Sequence, residues 1–324
     1  MNVFIVYPVA FVSAAATTAV SLPLWRRWCH QTGTIDDPGH RKIHSSPIPL
    51  AGGLAVLTGL VVPLLAGAAV AVAYSRFSIP GLFKYGLGKR EGQIFGIMAA
   101  ALAFLWIGLR DDRSELRPAI KFGGQLLVAL IVAATGVRIT LFVHSLAFSY
   151  CVTALWILTV VNAFNFMDNM NGLCGGIGAI SAVAFGSIAA RQGQYLVAAM
   201  AFLIAGALTG FLPYNFPRAT AFLGDAGSHL TGFLLAILAI LPHFYSAKHP
   251  EPLAVLTPLL VLAVPLGDMA WVVLLRLRNG KPFYLGDNNH LSHRLVRRGF
   301  SPAQGVTIIW FLAVASGALA FLLQ

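Results

Sequence analysis

The stretch NAFNFMDNMNG places four polar side chains at intervals of three directly after a long apolar run: Asn162, Asn165, Asp168 and Asn171. On a continuing helix, residues three apart lie on one face, so these side chains would form a polar stripe. Polar groups are costly in hydrocarbon, and a stripe at the end of an apolar span needs a ligand, an ion or a partner helix. The stripe is therefore a candidate ligand or ion site.

Two adjacent carboxylates, Asp111 and Asp112, directly follow another apolar run. Neighbouring carboxylates repel each other, so a cation or an arginine must neutralise them or one of them must hold its proton. They form either a reactive pair or a surface pair neutralised by Arg110, Arg113 and Lys121.

Asp225 lies in the turn GDAGS, where a new helix begins. Backbone N–H groups at a helix start can receive phosphate, and a carboxylate there can hold Mg²⁺. Helix capping by Asp225 or Ser228 is the competing explanation.

Two basic segments could meet an anionic ligand. Arg41, Lys42 and His44 lie in a proline-rich loop, where a charged turn is the simpler alternative.

Near the carboxyl end, His290 and His293 are spaced to share a helix face beside Arg294. Such a basic loop suits diphosphate oxygens better than a metal ion, although an ordinary basic anchor at a membrane surface explains most of its arginines.

The composition is that of an integral membrane protein, because 58% of the 324 residues are hydrophobic and only 10% are charged. Soluble domains carry about 25% charged residues. The mean hydropathy is +0.78. Ten apolar segments approach the length of a membrane span; they lie near 2–24, 50–73, 93–109, 119–137, 145–165, 173–190, 194–213, 228–245, 253–275 and 304–323.

The first segment lacks a signal-peptide pattern and is predicted to be a true span. Asp268 falls inside the ninth span, so it should face protein or a wet cleft. The three cysteines have no disulfide or zinc spacing. The net charge of +11 is explained by the positive-inside bias and anionic lipids, and a nucleic-acid partner is not expected.

The distribution of charge predicts the orientation. The odd-numbered connections between spans carry 15 Lys and Arg residues and the even-numbered ones 7, so the odd connections should be cytoplasmic. Eight of the 11 acidic residues also lie in the odd connections, which the positive-inside bias does not explain. This gathering of acids predicts a site on that face. We therefore predict an all-α polytopic membrane protein with about 10 (10–11) transmembrane helices, a single domain over residues 1–324 and a cytoplasm-facing cleft.

Five blocks in this order resemble the polyprenyl-phosphate N-acetylhexosamine-1-phosphate transferase family, which includes the phospho-N-acetylmuramoyl-pentapeptide transferases. The blocks are DDPGHRKIHSSPIPLAGG, GLRDD, NAFNFMDNMNGL, FLGDAGS and the region from PLGD to DNNHLSHRL, which together extend over residues 36–295. The last block resembles the branch that uses UDP-N-acetylglucosamine or a similar UDP-sugar, whose histidine motif is HxHHxL. The resemblance implies Mg²⁺-dependent transfer of a sugar 1-phosphate, with N-acetylglucosamine 1-phosphate favoured, from the UDP-sugar to undecaprenyl phosphate, with release of UMP. Such products begin cell-envelope polysaccharide synthesis at the plasma membrane.

The resemblance also implies roles for individual residues. Asp225 would hold Mg²⁺, with Mn²⁺ as an alternative, and Asp168 would be both a metal ligand and a catalytic residue. Asp111 and Asp112 would be the catalytic pair that handles metal and lipid phosphate. The substrate-binding residues would be Lys42, His44, Asn162, Asn165, Asn171, Phe222, which stacks on uracil, and His290, His293 and Arg294, which hold the diphosphate. A homodimer is an open alternative to a monomer.

The chemistry fits such a residue set. Phosphoryl transfer needs charge neutralisation and alignment more than covalent help. A phosphate monoester has a second pKa near 6, so the acceptor phosphate is mostly dianionic at pH 7 without a base. The hypothesis is therefore that Asp111 or Asp112 mainly positions the acceptor and the metal. In-line attack is the simpler route, and an aspartyl intermediate stays open.

Two departures from the family pattern bear on activity. Asn171 replaces the aspartate of the usual DGL ending, and Ser292 replaces the middle histidine of HxHHxL. A divergent paralogue with another donor, a weakly active enzyme and an inactive scaffold therefore remain alternatives. A transporter or lipid scramblase is a further alternative, but transporters place acids near the midplane in repeated halves. No internal repeat is evident here.

Overall fold

The computed structural model describes residues 3–37, 46–78, 91–140, 143–242 and 252–324. Its regular elements are almost entirely helical: α1 Val3–Thr32, α2 Gly52–Ser78, α3 Glu91–Ser114, α4 Pro118–Ala134, α5 Leu146–Met167, α6 Leu173–Arg191, α7 Tyr195–Phe211, α8 Gly224–Leu238, α9 Thr257–Val261, α10 Ala263–Arg278, α11 Leu291–Arg297 and α12 Pro302–Leu322. Two short 3₁₀ helices lie at Leu212–Tyr214 and Pro252–Leu256. The prediction of an all-α polytopic membrane protein is confirmed.

The described strands form one short antiparallel pair, β1 Ile35–Asp36 and β2 Ile48–Pro49, with Ile35 opposite Pro49. From β2 the chain continues against the loop before α8. The N–H of Phe222 donates to the Pro49 carbonyl at 3.0 Å, and the N–H of Gly52 donates to the Phe222 carbonyl at 2.9 Å. The end of the first connection is thereby joined to the entrance of α8.

Helix α8 is the centre of the bundle. It packs against α3, α5, α2 and α6, and every residue from Gly224 to Leu238 is buried except Asp225. Small residues allow this close packing. A Cβ atom on Gly108 of α3 would lie 2.4 Å from the backbone of Ala226, so only glycine permits the contact.

The structure does not confirm the count of ten spans. Seven of the described helices are long and apolar enough to cross a membrane, or eight if the bent pair near residues 254–278 forms one span. Helix α4 has 17 residues and α8 has 15. At 1.5 Å per residue both are shorter than the roughly 30 Å of hydrocarbon.

The predicted ninth span, 253–275, is broken rather than continuous. Helices α9 and α10 are bent by 68° at Leu262. Pro265 explains the break, because a proline has no N–H for the carbonyl four residues earlier, here that of Val261, and its ring clashes with that carbonyl. The break places Asp268 near the start of α10.

The described ends of the odd connections lie together. Contacts join the end of α3, the start of α4, the end of α5 and the start of α8, and the loop before α11 reaches α10. The polar residues of these connections therefore form one site at one end of the bundle. The second connection, predicted to be an external loop, lies largely outside the described residues.

Candidate active site

Lys121, in the first turns of α4, lies at the centre of the acidic cluster. Its Nζ is 2.6 Å from Oδ2 of Asp111 and 2.7 Å from Oδ2 of Asp225. It also donates to Oδ1 of Asn165 at 3.2 Å. One ammonium group therefore neutralises two carboxylates from different helices.

Asn165 connects α5 to the same cluster. Its Nδ2 donates to Oδ1 of Asp225 at 2.8 Å and to Oγ of Ser228 at 3.1 Å. One carboxylate oxygen of Asp225 thus accepts a hydrogen bond from Lys121, and the other accepts one from Asn165. Helices α4, α5 and α8 all contribute to holding this carboxylate.

Asp112 points to the start of α8 rather than to Lys121. Its Oδ1 accepts the N–H of Asp225 at 2.7 Å and its Oδ2 accepts the N–H of Ala226 at 3.1 Å. Gly224 has a φ of +72°, and a Cβ there would lie 2.8 Å from Oδ2 of Asp112. The turn therefore requires glycine, and a carboxylate from α3 caps the helix in place of a residue of its own.

Asp111 makes different contacts from its neighbour. Its Oδ1 accepts the N–H of Leu116 at 2.6 Å, and its Oδ2 meets Lys121. The adjacent acids thus face different partners, an ammonium group on one side and the positive end of a helix dipole on the other.

Asp168 is the residue directly after α5. Burial raises the pKa of Asp168 well above its usual range, and the negative charges of Asp225 and Asp112 raise it further. A carboxylate in this setting would be stabilised as the anion by a bound cation.

The polar stripe from Asn162 to Asn171 does not continue as one helix, because α5 ends at Met167 and Asp168 begins a turn.

A second cluster surrounds the histidine helix α11. Nδ1 of His290 lies 2.6 Å from Oδ2 of Asp268, and Oδ1 of Asp268 accepts the N–H of Leu291 at 2.6 Å. As expected for an acid within an apolar segment, Asp268 is buried against protein. The carboxylate fixes the orientation of the His290 ring and directs Nε2 away from Asp268.

The end of α5 joins the two clusters. The rings of Phe166 and His290 have centroids 6.1 Å apart and meet edge to face. Ser292 donates through Oγ to Oδ1 of Asn169 at 2.6 Å, so the residue that departs from the family motif has a protein partner.

His293 and Arg294, the other predicted substrate-binding residues of the histidine region, are both half-buried. Burial lowers the pKa of His293, and the nearby charges of His290 and Arg297 add to the effect. The guanidinium of Arg294 lies 4.9 Å from the centre of the Trp271 ring. The lowered pKa favours neutral His293, whose ring centroid lies 6.3 Å from that of His290.

Arg276 holds the loop that leads to His290. Its Nε donates to Oδ2 of Asp287 at 2.7 Å, its Nη1 donates to the Phe283 carbonyl at 2.6 Å, and its guanidinium lies 4.9 Å from the Phe166 ring centre. Partial burial acts to raise the pKa of Asp287, but the hydrogen bonds from Arg276 and the Asn289 backbone, together with the charges of Arg276 and His290, lower the pKa below its usual value. The loop is thus tied to α10 and α5 together.

Three predicted substrate contacts are not among the side chains bonded within the acidic cluster, and their roles stay predictions. Asn162 is buried and donates to Oε1 of Gln125 at 2.8 Å. Asn171 donates to the Pro217 carbonyl at 3.3 Å. Phe222 is half-buried beside the start of α8. Lys42 and His44 lie outside the described residues.

Sequence reasoning did not select Lys121, Asn169 or Arg276 as site residues. The signal for Lys121 and Arg276 was present, because each is a charged residue within an apolar helix. No local signal marks Asn169, whose importance depends on a contact with a residue 123 positions later in the chain.

A helical bundle with carboxylates, a lysine and histidines gathered at one end defines a polytopic membrane protein with a polar site suited to phosphate groups and a cation. The chain matches the model of glycosyl transferase family 4 over residues 94–243. It is 32% identical to the decaprenyl-phosphate N-acetylglucosaminephosphotransferase of Mycobacterium tuberculosis, over 95% of this chain and 80% of that protein. It is 28% identical to the undecaprenyl-phosphate alpha-N-acetylglucosaminyl 1-phosphate transferase of Escherichia coli, over 97% of this chain and 83% of that protein. The chain therefore belongs to glycosyl transferase family 4, among the polyprenyl-phosphate N-acetylhexosamine-1-phosphate transferases.

Proposed function

We propose that the protein transfers N-acetylglucosamine 1-phosphate from UDP-N-acetylglucosamine to a polyprenyl phosphate and releases UMP. The observation that carries the proposal is the convergence of Asp111, Asp225, Asn165 and Lys121. The names of the relatives, which act on undecaprenyl or decaprenyl phosphate with N-acetylglucosamine, support this choice of sugar and acceptor. Membership of a transferase family favours this activity over transport or lipid scrambling.

The acidic cluster fits Mg²⁺ by its chemistry. Its ligands are carboxylate and amide oxygens, which hard cations prefer. No group of three or more His, Cys, Asp or Glu side chains within the described ranges forms a complete metal cage. Mg²⁺ is commonly held by one or two carboxylates together with substrate phosphates and water, so Asp225 and Asp168 would suffice, with Mn²⁺ as a substitute. The bound cation would neutralise charge on the diphosphate.

In the proposed reaction an oxygen of the lipid phosphate attacks the phosphorus that carries the sugar. The bond from this phosphorus to the bridging oxygen breaks, and the electron pair leaves with UMP. The dianionic acceptor needs no base. Lys121 lies where it can balance the charge of acceptor and carboxylates, and Asp112 holds Asp225 in place through the backbone of α8.

The histidine cluster would hold the donor diphosphate. His290 is oriented by Asp268, while His293 and Arg294 lie on the same short helix. Both oxygens of Asp112 are already used as acceptors for backbone N–H groups, which supports a positioning role and in-line attack over an aspartyl intermediate at this residue.

The location of the site is part of the proposal. The excess of basic residues in the odd connections supports a site facing the cytoplasm in the plasma membrane. The partners would be the UDP-sugar, polyprenyl phosphate and membrane lipid. A homodimer remains a proposal to be tested by the mass of the purified protein in detergent.

The test is UMP release by the purified full chain with undecaprenyl or decaprenyl phosphate, Mg²⁺ and a panel of UDP-sugars. We expect release with UDP-N-acetylglucosamine that depends on lipid, stops with EDTA and returns with Mg²⁺ or Mn²⁺. Asp225→Ala should abolish it, whereas Thr153→Val, a buried change at the far end of α5, should not. Release with a different UDP-sugar would establish a divergent donor. Absence of release from folded protein with every donor would refute the activity.

A further inference from the structure

A second layer of polar side chains lies one helical turn deeper than the acidic cluster. It consists of Gln125 on α4, Asn162 on α5 and His229 on α8. Gln125 follows Lys121 by four positions, and His229 follows Asp225 by four. Asn162 precedes Asn165 by three. Because residues three or four apart share a helix face, the same three helices supply both layers.

The three side chains are buried, with exposed fractions of 0% for Gln125 and His229 and 7% for Asn162. Nδ2 of Asn162 donates to Oε1 of Gln125 at 2.8 Å and to the Leu158 carbonyl at 2.8 Å. Nε2 of Gln125 lies 3.3 Å from Nε2 of His229. Since the Gln125 oxygen is the acceptor for Asn162, its amide nitrogen donates to His229, whose proton is then on Nδ1.

Fully buried apolar residues lie next to the network along the chain: Val161 directly precedes Asn162, and Phe233, one turn after His229, stacks on Phe104 with ring centroids 4.9 Å apart. Burying polar side chains costs folding free energy unless they are hydrogen-bonded to one another. A hydrogen-bonded network in the core can in turn specify one arrangement of the helices that carry it. The bonds of the network cross from α5 to α4 and from α4 to α8. They therefore fix the relative height and rotation of the three helices that carry Asn165, Lys121 and Asp225.

We propose that Gln125, Asn162 and His229 are positioning residues for sugar-phosphate transfer, an inference that rests on the proposed function. A helix advances 1.5 Å and turns 100° per residue, so a small slip of one helix would separate Lys121 from Asp225. Their present distance is 2.7 Å. The layer keeps the cluster assembled without touching substrate.

The first experiment compares Gln125→Met, which keeps the length of the side chain but removes both bonds, with the matched control Thr153→Val. Thr153 is buried on α5 and accepts the N–H of Ile139 at 2.9 Å, far from the site. Gln125→Met should lower kcat about tenfold to a hundredfold, the cost of a small misplacement of reacting groups. KM for UDP-N-acetylglucosamine should change little. Thr153→Val should lower Tm without lowering kcat.

A conservative pair gives the second readout. His229→Gln presents an oxygen that can accept from Gln125 and should retain most of kcat, whereas His229→Leu should behave as Gln125→Met does. The three variants Gln125→Met, His229→Leu and Thr153→Val are compared at similar decreases in Tm. If the first two then lower kcat no more than Thr153→Val does, the positioning role is overturned.

A binding measurement separates this inference from the proposed function. The affinity for Mn²⁺, followed by electron paramagnetic resonance, should weaken in Gln125→Met because Asp225 is no longer held in register. Wild-type protein that neither releases UMP nor binds Mn²⁺ would overturn the proposed function together with this inference. Wild-type activity with unchanged kcat and Mn²⁺ affinity in Gln125→Met would overturn the inference alone.

Discussion

Asp112 holds the start of the helix to which Asp225 belongs: its two carboxylate oxygens accept the N–H groups of Asp225 and Ala226 at 2.7 and 3.1 Å. The negative charge lies at the positive end of the helix dipole, which stabilises both. Asp111, the adjacent residue, instead pairs with Lys121. Two neighbouring acids therefore have separable functions.

Asp112→Asn should reduce both stability and turnover. An asparagine can accept only one of the two N–H groups, and its NH₂ would face the other. We expect a loss of about 1–2 kcal/mol, typical for a helix cap, and a parallel fall in kcat, measured by thermal unfolding in detergent and UMP release. Asp111→Asn should lower turnover with a smaller change in Tm. Unchanged Tm and turnover in Asp112→Asn would contradict the capping role.

Lys121→Met should leave Asp111 and Asp225 without their shared cation. We expect turnover to fall at least about a hundredfold, as for loss of one electrostatic contact in an active site. Lys121→Arg, which keeps the charge, should retain more activity. Lys281→Met, a change at an exposed lysine, is the matched control. Turnover of Lys121→Met equal to that of the control would show that the ammonium group is dispensable.

Asp268→Asn should impair the enzyme through His290, because the neutral amide holds the ring less firmly. We expect kcat/KM to fall about tenfold to a hundredfold, the range for misplacement of a catalytic group. His290→Ala should then add little in the Asp268→Asn background, since residues in one hydrogen-bonded unit are not additive. Fully additive losses would show that the two act independently.

The pair Ser292 and Asn169 should show a coupling energy of about 1 kcal/mol, the usual net value of a side-chain hydrogen bond. The measurement is a double-mutant cycle of Ser292→Ala and Asn169→Ala, with the free energy of unfolding in detergent as the readout. Ser292→His, which restores the family pattern, should lower activity because the larger ring meets Asn169 in a buried position. A gain of activity in Ser292→His would indicate that the serine is a defect instead.

Asn171→Asp should not increase activity, although it also restores the family pattern. Asn171 donates to the Pro217 carbonyl at 3.3 Å, and a carboxylate would face this oxygen without a hydrogen to donate. We expect equal or lower kcat at saturating Mg²⁺. A clear increase, together with a lower Mg²⁺ requirement, would place residue 171 at the metal.

The class and the family of the protein follow from the sequence alone. Hydrophobic content and span length require an all-α membrane protein, because hydrocarbon leaves backbone groups no partners outside a helix or a closed barrel. The acids of the odd connections indicate that Asp111, Asp168 and Asp225 share one face. The five motif blocks then indicate the family. Each of these signals is local or cumulative, so it is visible without coordinates.

Only the tertiary structure decides which side chain meets which. Lys121 and Asp225 are separated by 104 positions and Ser292 and Asn169 by 123, so no local pattern pairs them. The break at Leu262, the cap that Asp112 supplies to α8, and the second layer of Gln125, Asn162 and His229 arise from packing between helices. In a bundle whose spans are apolar on all sides, hydropathy specifies that helices form. The few buried hydrogen bonds specify their rotation and height, because a wrong register leaves a polar group unpaired.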